Sequence, residues 1–321
     1  MPAKTKFEVK LGAATREAFG RTLVELGAEN KDIVVCDADL SKSTMTTYFA
    51  KEFPDRFISL GIAEADMVGV GAGLAYAGKI PFVSSFSAFV INKGFEQLRV
   101  SVAYPHLNVK VVGTHSGISI GEDGPSQMSI EETSLACSLP GFVVISPADE
   151  NACKALIRAA TAYVGPVFVR TGRPKCAIIY GPDQKFEIGK AIEVAEGKDV
   201  TVIANGLLVA QALLAADTLD AEGVSVRVID MHTVKPLDRE AIRKAAAETG
   251  AIVVAEEHLV DAGLGVRVAQ VVSETTPVPM EFVGIQDTYA ESGQPEELLE
   301  KYGLVAKDVA AAIRKVVARK R

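Results

Sequence analysis

The chain has 321 residues, 48 % of them apolar and 23 % charged, with a net charge of −7. That length and composition fit two globular domains of ordinary size, and an acidic balance with no local basic patch argues against a nucleic-acid surface. The start, MPAKTKFEVK, lacks the apolar stretch of a leader, and no uncharged run reaches membrane-spanning length, so no membrane partner and a cytoplasmic location are expected.

In chain order, a helical pattern over 12–27 comes first, and a buried strand is expected in DIVVCDADL (32–40). RFISLGIAE (56–64), KIPFVSSFS (79–87), NVKVVGTHSG (108–117), GFVVISPAD (141–149) and GPVFVRTG (165–172) read the same way. Between them lie helical patterns at 63–77, 87–104 and 149–163, the last with Asp149 placed to cap it after the break at Pro147. Continuous Val/Ile runs alternating with helices predict a parallel sheet covered on both faces. From 173 to 199 the chain turns rich in Gly, Pro and charge, which reads as a linker. A second series follows: strands at 199–206, 224–231, 251–258 and 279–285, helices at 208–221, 238–249 and 263–273, and two closing helices. The expectation is an α/β chain of two domains, residues 1–184 and 185–321, each a mainly parallel sheet with helices on both faces. The halves are alike in class only, with no sequence repeat. Cys36, Cys137, Cys153 and Cys176 are scattered without a C-x-x-C spacing, which disfavours a zinc site or disulfide framework and fits a reducing compartment.

Gly69, Gly71 and Gly73 in GVGAGLAYAG invite a dinucleotide reading, but that fingerprint needs its turn directly after a strand. Here the glycines fall inside a predicted helix, and close packing on the sheet explains them better. Glu64, where a buried strand gives way to an apolar helix, is either a first-turn acid favouring the helix N-terminus or a carboxylate held in an apolar pocket for proton sharing. Phe86 and Phe89 are three apart and share a helix face; they are core residues or a platform for a flat heterocycle at the carboxyl edge of a sheet. The polar segment GISIGEDGPSQMSIEET (117–133) is long for a connecting loop. With His115 before it and Glu122, Asp123 and Gln127 within it, it reads as one wall of a polar site. Arg16 and Arg170 are single cations beside buried segments, suited to an ordinary salt bridge or to forked binding of phosphate.

Taken in order, these motifs resemble transketolases. GTH followed by GEDGPSQMSIEE and PGFVVISPAD resembles their substrate-loop region, and GIAEADMVGVGAGLA the segment with their cofactor-activating glutamate. FVRTGRPKCAIIY and VRVIDMHTVKPLDRE resemble later segments. The resemblance covers nearly the whole chain but only the second half of a complete transketolase. It implies a thiamine-diphosphate-binding fold of the pyrimidine type followed by a transketolase C-terminal domain. The diphosphate half of the family carries a Gly-Asp-Gly motif and paired asparagines, and neither GDG nor NN occurs here. The resemblance therefore implies a transferase subunit of the pentose phosphate pathway that shares thiamine diphosphate with an N-terminal partner subunit. That partner would bind the diphosphate and Mg2+ or another divalent cation, and an α2β2 heterotetramer or self-association would follow. The reaction implied is transfer of a two-carbon glycolaldehyde unit from a ketose phosphate to an aldose phosphate.

Residue by residue, the resemblance gives Glu64 the hydrogen bond to the cofactor's aminopyrimidine, with Phe86 and Phe89 packed on that ring and Asp39 near the cofactor. His115, with a catalytic role, and Asp123 would bind sugar hydroxyls, and Arg16, Ser43 and Arg170 the acceptor's phosphate. Gln127 stands where many members have histidine, and Asn92 where some have tyrosine. Gln127 can bond a hydroxyl or phosphate oxygen but not as a cation. Two rivals share the plan: the β subunit of a 2-oxo acid dehydrogenase, and a transketolase specialised for an unusual pentulose phosphate. Deoxyxylulose-phosphate synthase also resembles this region but has a different acidic loop, and a non-catalytic regulatory subunit would not need Glu64 with both phenylalanines.

Overall fold

In the computed structural model, which describes residues 6–320, the apolar runs become strands, most of them buried. In chain order these are β1 (Leu11–Ala14), β2 (Ile33–Asp37), β3 (Phe57–Ser59), β4 (Ile80–Phe86), β5 (Lys110–Thr114), β6 (Val143–Ile145), β7 (Val167–Arg170), β8 (Lys175–Ala177), β9 (Ile192–Ala195), β10 (Val200–Ala204), β11 (Val226–Asp230), β12 (Thr233–Lys235), β13 (Ile252–Leu259) and β14 (Met280–Ile285). One sheet runs β12-β6-β7-β5-β4-β2-β3 and a second β14-β13-β10-β11-β9. Within these sheets every pairing is parallel except β12 with β6 and β9 with β11. β1 and β8 form a separate antiparallel ribbon.

Side-chain alternation explains why the strands read as unbroken apolar runs. Val35, Phe82, Val112 and Val169 join one core, while their chain neighbours Cys36, Val83, Val111 and Phe168 join another. Successive side chains point to opposite faces, so both faces of the first sheet are buried under helices. Helix starts follow local chemistry. Asp149 accepts from Ala152 N at 2.7 Å and caps the helix Glu150–Ala162; Asp238 accepts from Ala241 N at 3.0 Å and caps Arg239–Thr249. Gly250, at φ +66°, ends the latter in the left-handed conformation.

The structure departs from the expectations in several places. The helix expected over 87–104 is broken into Ser87–Asn92, Phe95–Gln97 and a π-helical turn, Leu98–Ala103. Short helices at Thr47–Glu52 and Glu132–Ser138 have too few residues to show a period. The segment read as a linker holds β8 and β9, and the second half donates β12 to the first sheet. Of the three helix glycines only Gly71 packs on the sheet, where a Cβ would lie 2.6 Å from Val83; nothing lies within 4 Å of Gly69 or Gly73. The four cysteines are free, and among the described residues no helix is long and apolar enough to cross a membrane.

The first sheet changes direction between β2 and β4, because β3 adds to one side of β2 and β4 to the other. In open parallel sheets a crevice forms beyond the carboxyl ends of the strands at such a reversal. The second sheet reverses between β10 and β13, but there Arg170 from the first half reaches in, close to Gly206 and bonded to Glu257. Arg170, at the end of β7 and 8 % exposed, donates through Nε to the Glu132 carboxylate and through Nη2 to the Glu257 carbonyl at 2.7 Å. Its Nη1 lies 3.8 Å from the Glu257 carboxylate. Glu257 Oε1 also accepts from Ser119 N at 2.7 Å, and Leu259 N donates to Ile130 O at 2.9 Å. The long polar loop is thus stapled at both ends to β13. At Gly117, φ +80°, a side chain would collide with the Glu257 carboxylate, so only glycine serves there.

Removing one member of a buried charge cluster leaves the others uncompensated, which costs about 3–5 kcal/mol. Arg170→Ala is therefore expected to lose about that much in urea denaturation. A loss below about 1 kcal/mol, the scale of a surface pair, would show that Arg170 does not hold the two halves together.

Candidate functional site

The carboxyl ends of β2, β4 and β5, together with the helix that follows β3, bring most of the expected side chains into one crevice. Glu64 opens the helix Glu64–Tyr76 and is only 3 % exposed. Both its carboxylate oxygens face Lys93 Nζ, at 3.2 and 3.4 Å. Phe86 ends β4, and its ring stacks on Phe89 with centroids 5.6 Å apart and planes 16° apart. The other neighbour of Phe86 is the His115 imidazole, with centroids 3.9 Å apart. The Lys93 ammonium lies 4.5 Å from the centroid of Phe89.

His115 follows β5 in the left-handed conformation, φ +56°, which is uncommon for a non-glycine residue and marks a constrained turn. Arg16 Nη1 lies 2.8 Å from His115 Nε2, and Thr114 Oγ1 lies 2.8 Å from Nδ1. A guanidinium can only donate, so Nε2 is the acceptor and the ring proton sits on Nδ1, facing Thr114. Burial, reinforced by the positive charges of Arg16 and Arg173, pushes the His115 imidazole down to about 3. Arg16 itself is drawn below the usual guanidinium range by burial and by Arg173. Its Nη1 also donates to the Ser43 carbonyl at 2.8 Å, and its Nε is buried with no hydrogen-bond partner. Ser43 therefore enters the site by its main chain.

Arg173 completes this cationic end. It donates to the Ile120 carbonyl and, at 2.8 Å, to Glu122 Oε2, and remains about one-third exposed. Here the structure corrects the expectation for the second arginine. Arg170 is consumed by Glu132 and Glu257 at the domain junction, whereas the charge of Arg173, three residues on, acts on His115 and Arg16. Asp123 is exposed on the loop, and its charge acts on Arg16. Gln127, half-buried, accepts from Ser126 Oγ at 2.8 Å. Asn92 donates to Glu131 at 2.7 Å. Asp39 is exposed at φ +63°. Its turn is fixed by Asp37, which nothing in the local sequence marks out beside it. Asp37, fully buried, accepts from Leu40 N at 2.7 Å, Thr44 Oγ1 at 2.7 Å and Thr46 Oγ1 at 2.9 Å. Among the described residues no three His, Cys, Asp or Glu side chains come together as a metal site would need.

The crevice has two chemically distinct ends. At one, a buried carboxylate lies beside stacked aromatic rings, suited to a flat heterocycle with a ring nitrogen. At the other, two guanidinium groups with one unpartnered N–H suit an anion. A neutral histidine stands between them.

Residues 12–177 match the model of the transketolase pyrimidine-binding domain, and residues 189–309 that of the transketolase C-terminal domain. The chain is 44 % identical over 301 residues to a Methanocaldococcus jannaschii protein named as a transketolase C-terminal section, covering 93 % of this chain and 94 % of that one. It is 41 % identical to the 6-deoxy-6-sulfo-D-fructose transketolase subunit SqwH of Clostridium sp., over 98 % of both chains. A solved structure described as a split gene transketolase, inactive beta4 tetramer, superposes with a TM-score of 0.91 at 49 % identity, covering 97 % of this chain and 100 % of that one.

The buried contact between Arg16 and His115 makes a measurable statement. In side-chain NMR from pH 4.5 to 8, the His115 imidazole is expected to stay neutral, with its proton on Nδ1. A midpoint near the ordinary histidine value, ~6.5, would contradict the burial and the donation from Arg16.

Proposed function

This chain belongs to the transketolase family, through a pyrimidine-binding and a C-terminal domain, and is a transferase subunit; we propose that it supplies the pyrimidine half of a two-subunit, thiamine-diphosphate-dependent transketolase. The observation that carries this reading is the Glu64 carboxylate, 3 % exposed, beside the stacked Phe86–Phe89 pair at the carboxyl edge of the sheet. We divide the chain at residue 184 into those two domains. The diphosphate and a divalent cation such as Mg2+ fall to a partner subunit, a division supported by relatives named as a section and as a subunit. An α2β2 assembly then pairs two such sites.

Thiamine diphosphate, when bound, supplies a nucleophilic thiazolium carbon that carries the two-carbon unit. What this chain's residues contribute follows from their placement. Glu64 holds a hydrogen bond to the aminopyrimidine from a site shielded from water, so its proton sharing is not diluted by solvent. Phe86 and Phe89 hold the ring by their faces. Asp39 stands on a turn fixed by Asp37, at the edge a partner would cover. His115, neutral and held by Arg16, presents its ring to a sugar hydroxyl or carbonyl oxygen, and Asp123 and Gln127 reach the same sugar from the loop. Arg16 and Arg173 hold the phosphate of a ketose or aldose phosphate, in place of the Arg16, Ser43 and Arg170 set. The same pair would suit any terminal anionic group. The physiological pathway would be one that exchanges two-carbon units between sugar phosphates.

Glu64→Gln keeps the side chain's shape but removes the carboxyl that shares a proton with the ring. In the assembled enzyme, turnover is expected to fall by ~100-fold or more, the scale of lost proton-transfer assistance, with the melting temperature little changed. Near-wild-type turnover would remove Glu64 from the mechanism.

A further inference from the structure

Lys93 has no part in the roles above, yet it sits on the two surfaces assigned to the cofactor ring. It is the last position before Gly94, four residues after Phe89, so its stem runs along the same helical face. Its ammonium faces both oxygens of the Glu64 carboxylate, at 3.2 and 3.4 Å, and lies 4.5 Å from the Phe89 ring centroid. Lys93 is half-exposed while Glu64 is 3 % exposed. The pair is therefore asymmetric: a half-exposed cation covers a buried anion. Without a counter-charge that carboxylate would stand desolvated and uncompensated, which is costly.

We propose that Lys93 is a displaceable stand-in for the cofactor's pyrimidine, occupying the Glu64 carboxylate and the Phe89 face until the cofactor arrives and must be given at least one of those oxygens. The inference rests on the assignment of Glu64 to the pyrimidine. The geometry supplies the reason for competition. An incoming ring nitrogen needs a carboxylate oxygen, and both are engaged. An incoming ring also needs an aromatic face, and a cation lies over one of them. Lys93 thus keeps the free subunit's site charge-balanced and lowers apparent cofactor affinity by the fraction of molecules in which it is in place.

The test is calorimetric titration of thiamine diphosphate, with magnesium present, into the complex of this chain with its diphosphate-binding partner. Lys93→Met removes the charge and keeps the apolar stem. Its Kd is expected to fall ~3- to 10-fold below wild type, the range set by losing a partly exposed carboxylate–ammonium contact and its cation–π component. Lys93→Arg keeps a cation and should stay within ~2-fold of wild type. An unchanged or higher Kd for Lys93→Met, in a protein that melts like wild type, would overturn the stand-in role. Glu64→Gln separates this from its premise. If that variant leaves cofactor affinity and turnover unchanged, the pyrimidine assignment itself fails and the stand-in role with it. If it cripples turnover while Lys93→Met binds no tighter, only the role of Lys93 is wrong.

Discussion

One buried cation, Arg170, decides how the two halves of the molecule meet. It ends a strand of the first sheet and is clasped by Glu132 from the same half and Glu257 from the other. Burial pushes the Glu257 carboxyl up, and the charge of Arg170 pulls it back. A cluster of this kind is not a large source of net stability, but it tolerates little displacement, because any member left alone is an unpaired charge in a low dielectric. The second sheet's reversal point, where a parallel α/β sheet would ordinarily hold a ligand, is thereby closed. Its role passes to the first sheet. The C-terminal half acts as a wall that fixes the loop from 115 to 131 through Glu257 and Leu259.

That fixed loop explains the polarity of the crevice. His115 stands at the loop's start in a strained conformation, with Arg16 beyond it and Phe86 beneath. Burial, helped by the charges of Arg16 and Arg173, holds the imidazole neutral, which leaves it an oriented hydrogen-bonding group. The buried Glu64 carboxylate with Lys93 lies at one end of the crevice and the two arginines with Glu122 at the other.

The fold was legible because its local signals agree with its global plan. Double-sided burial made the strands read as Val/Ile runs, and Asp149 announced a helix start that the structure forms. That Glu64, Phe86, Phe89, His115 and Arg16 come together was also legible, since each stands at or near the end of an apolar run. The arginine was not. Arg170 and Arg173 share the stretch VFVRTGRPK, and which one faces the crevice depends on Glu132 and Glu257, partners 38 and 87 residues away. Likewise, nothing local marks Asp37 above Asp39 in CDADL, because its three donors come from a turn that exists only once folded. Lys93 was invisible for a similar reason, since its partner Glu64 lies 29 residues away.

The central claim is that the cofactor site is half built here and completed by another subunit. The cost of immobilising a charged, flexible cofactor exceeds what one buried ring and one carboxylate offset. Calorimetric titration of thiamine diphosphate and magnesium into this chain alone, then into the chain mixed with its diphosphate-binding partner, measures this directly. The account predicts no tight binding and no transfer of two-carbon units by the chain alone, and both once the partner is present. Micromolar binding together with sugar transfer by the isolated chain would contradict it.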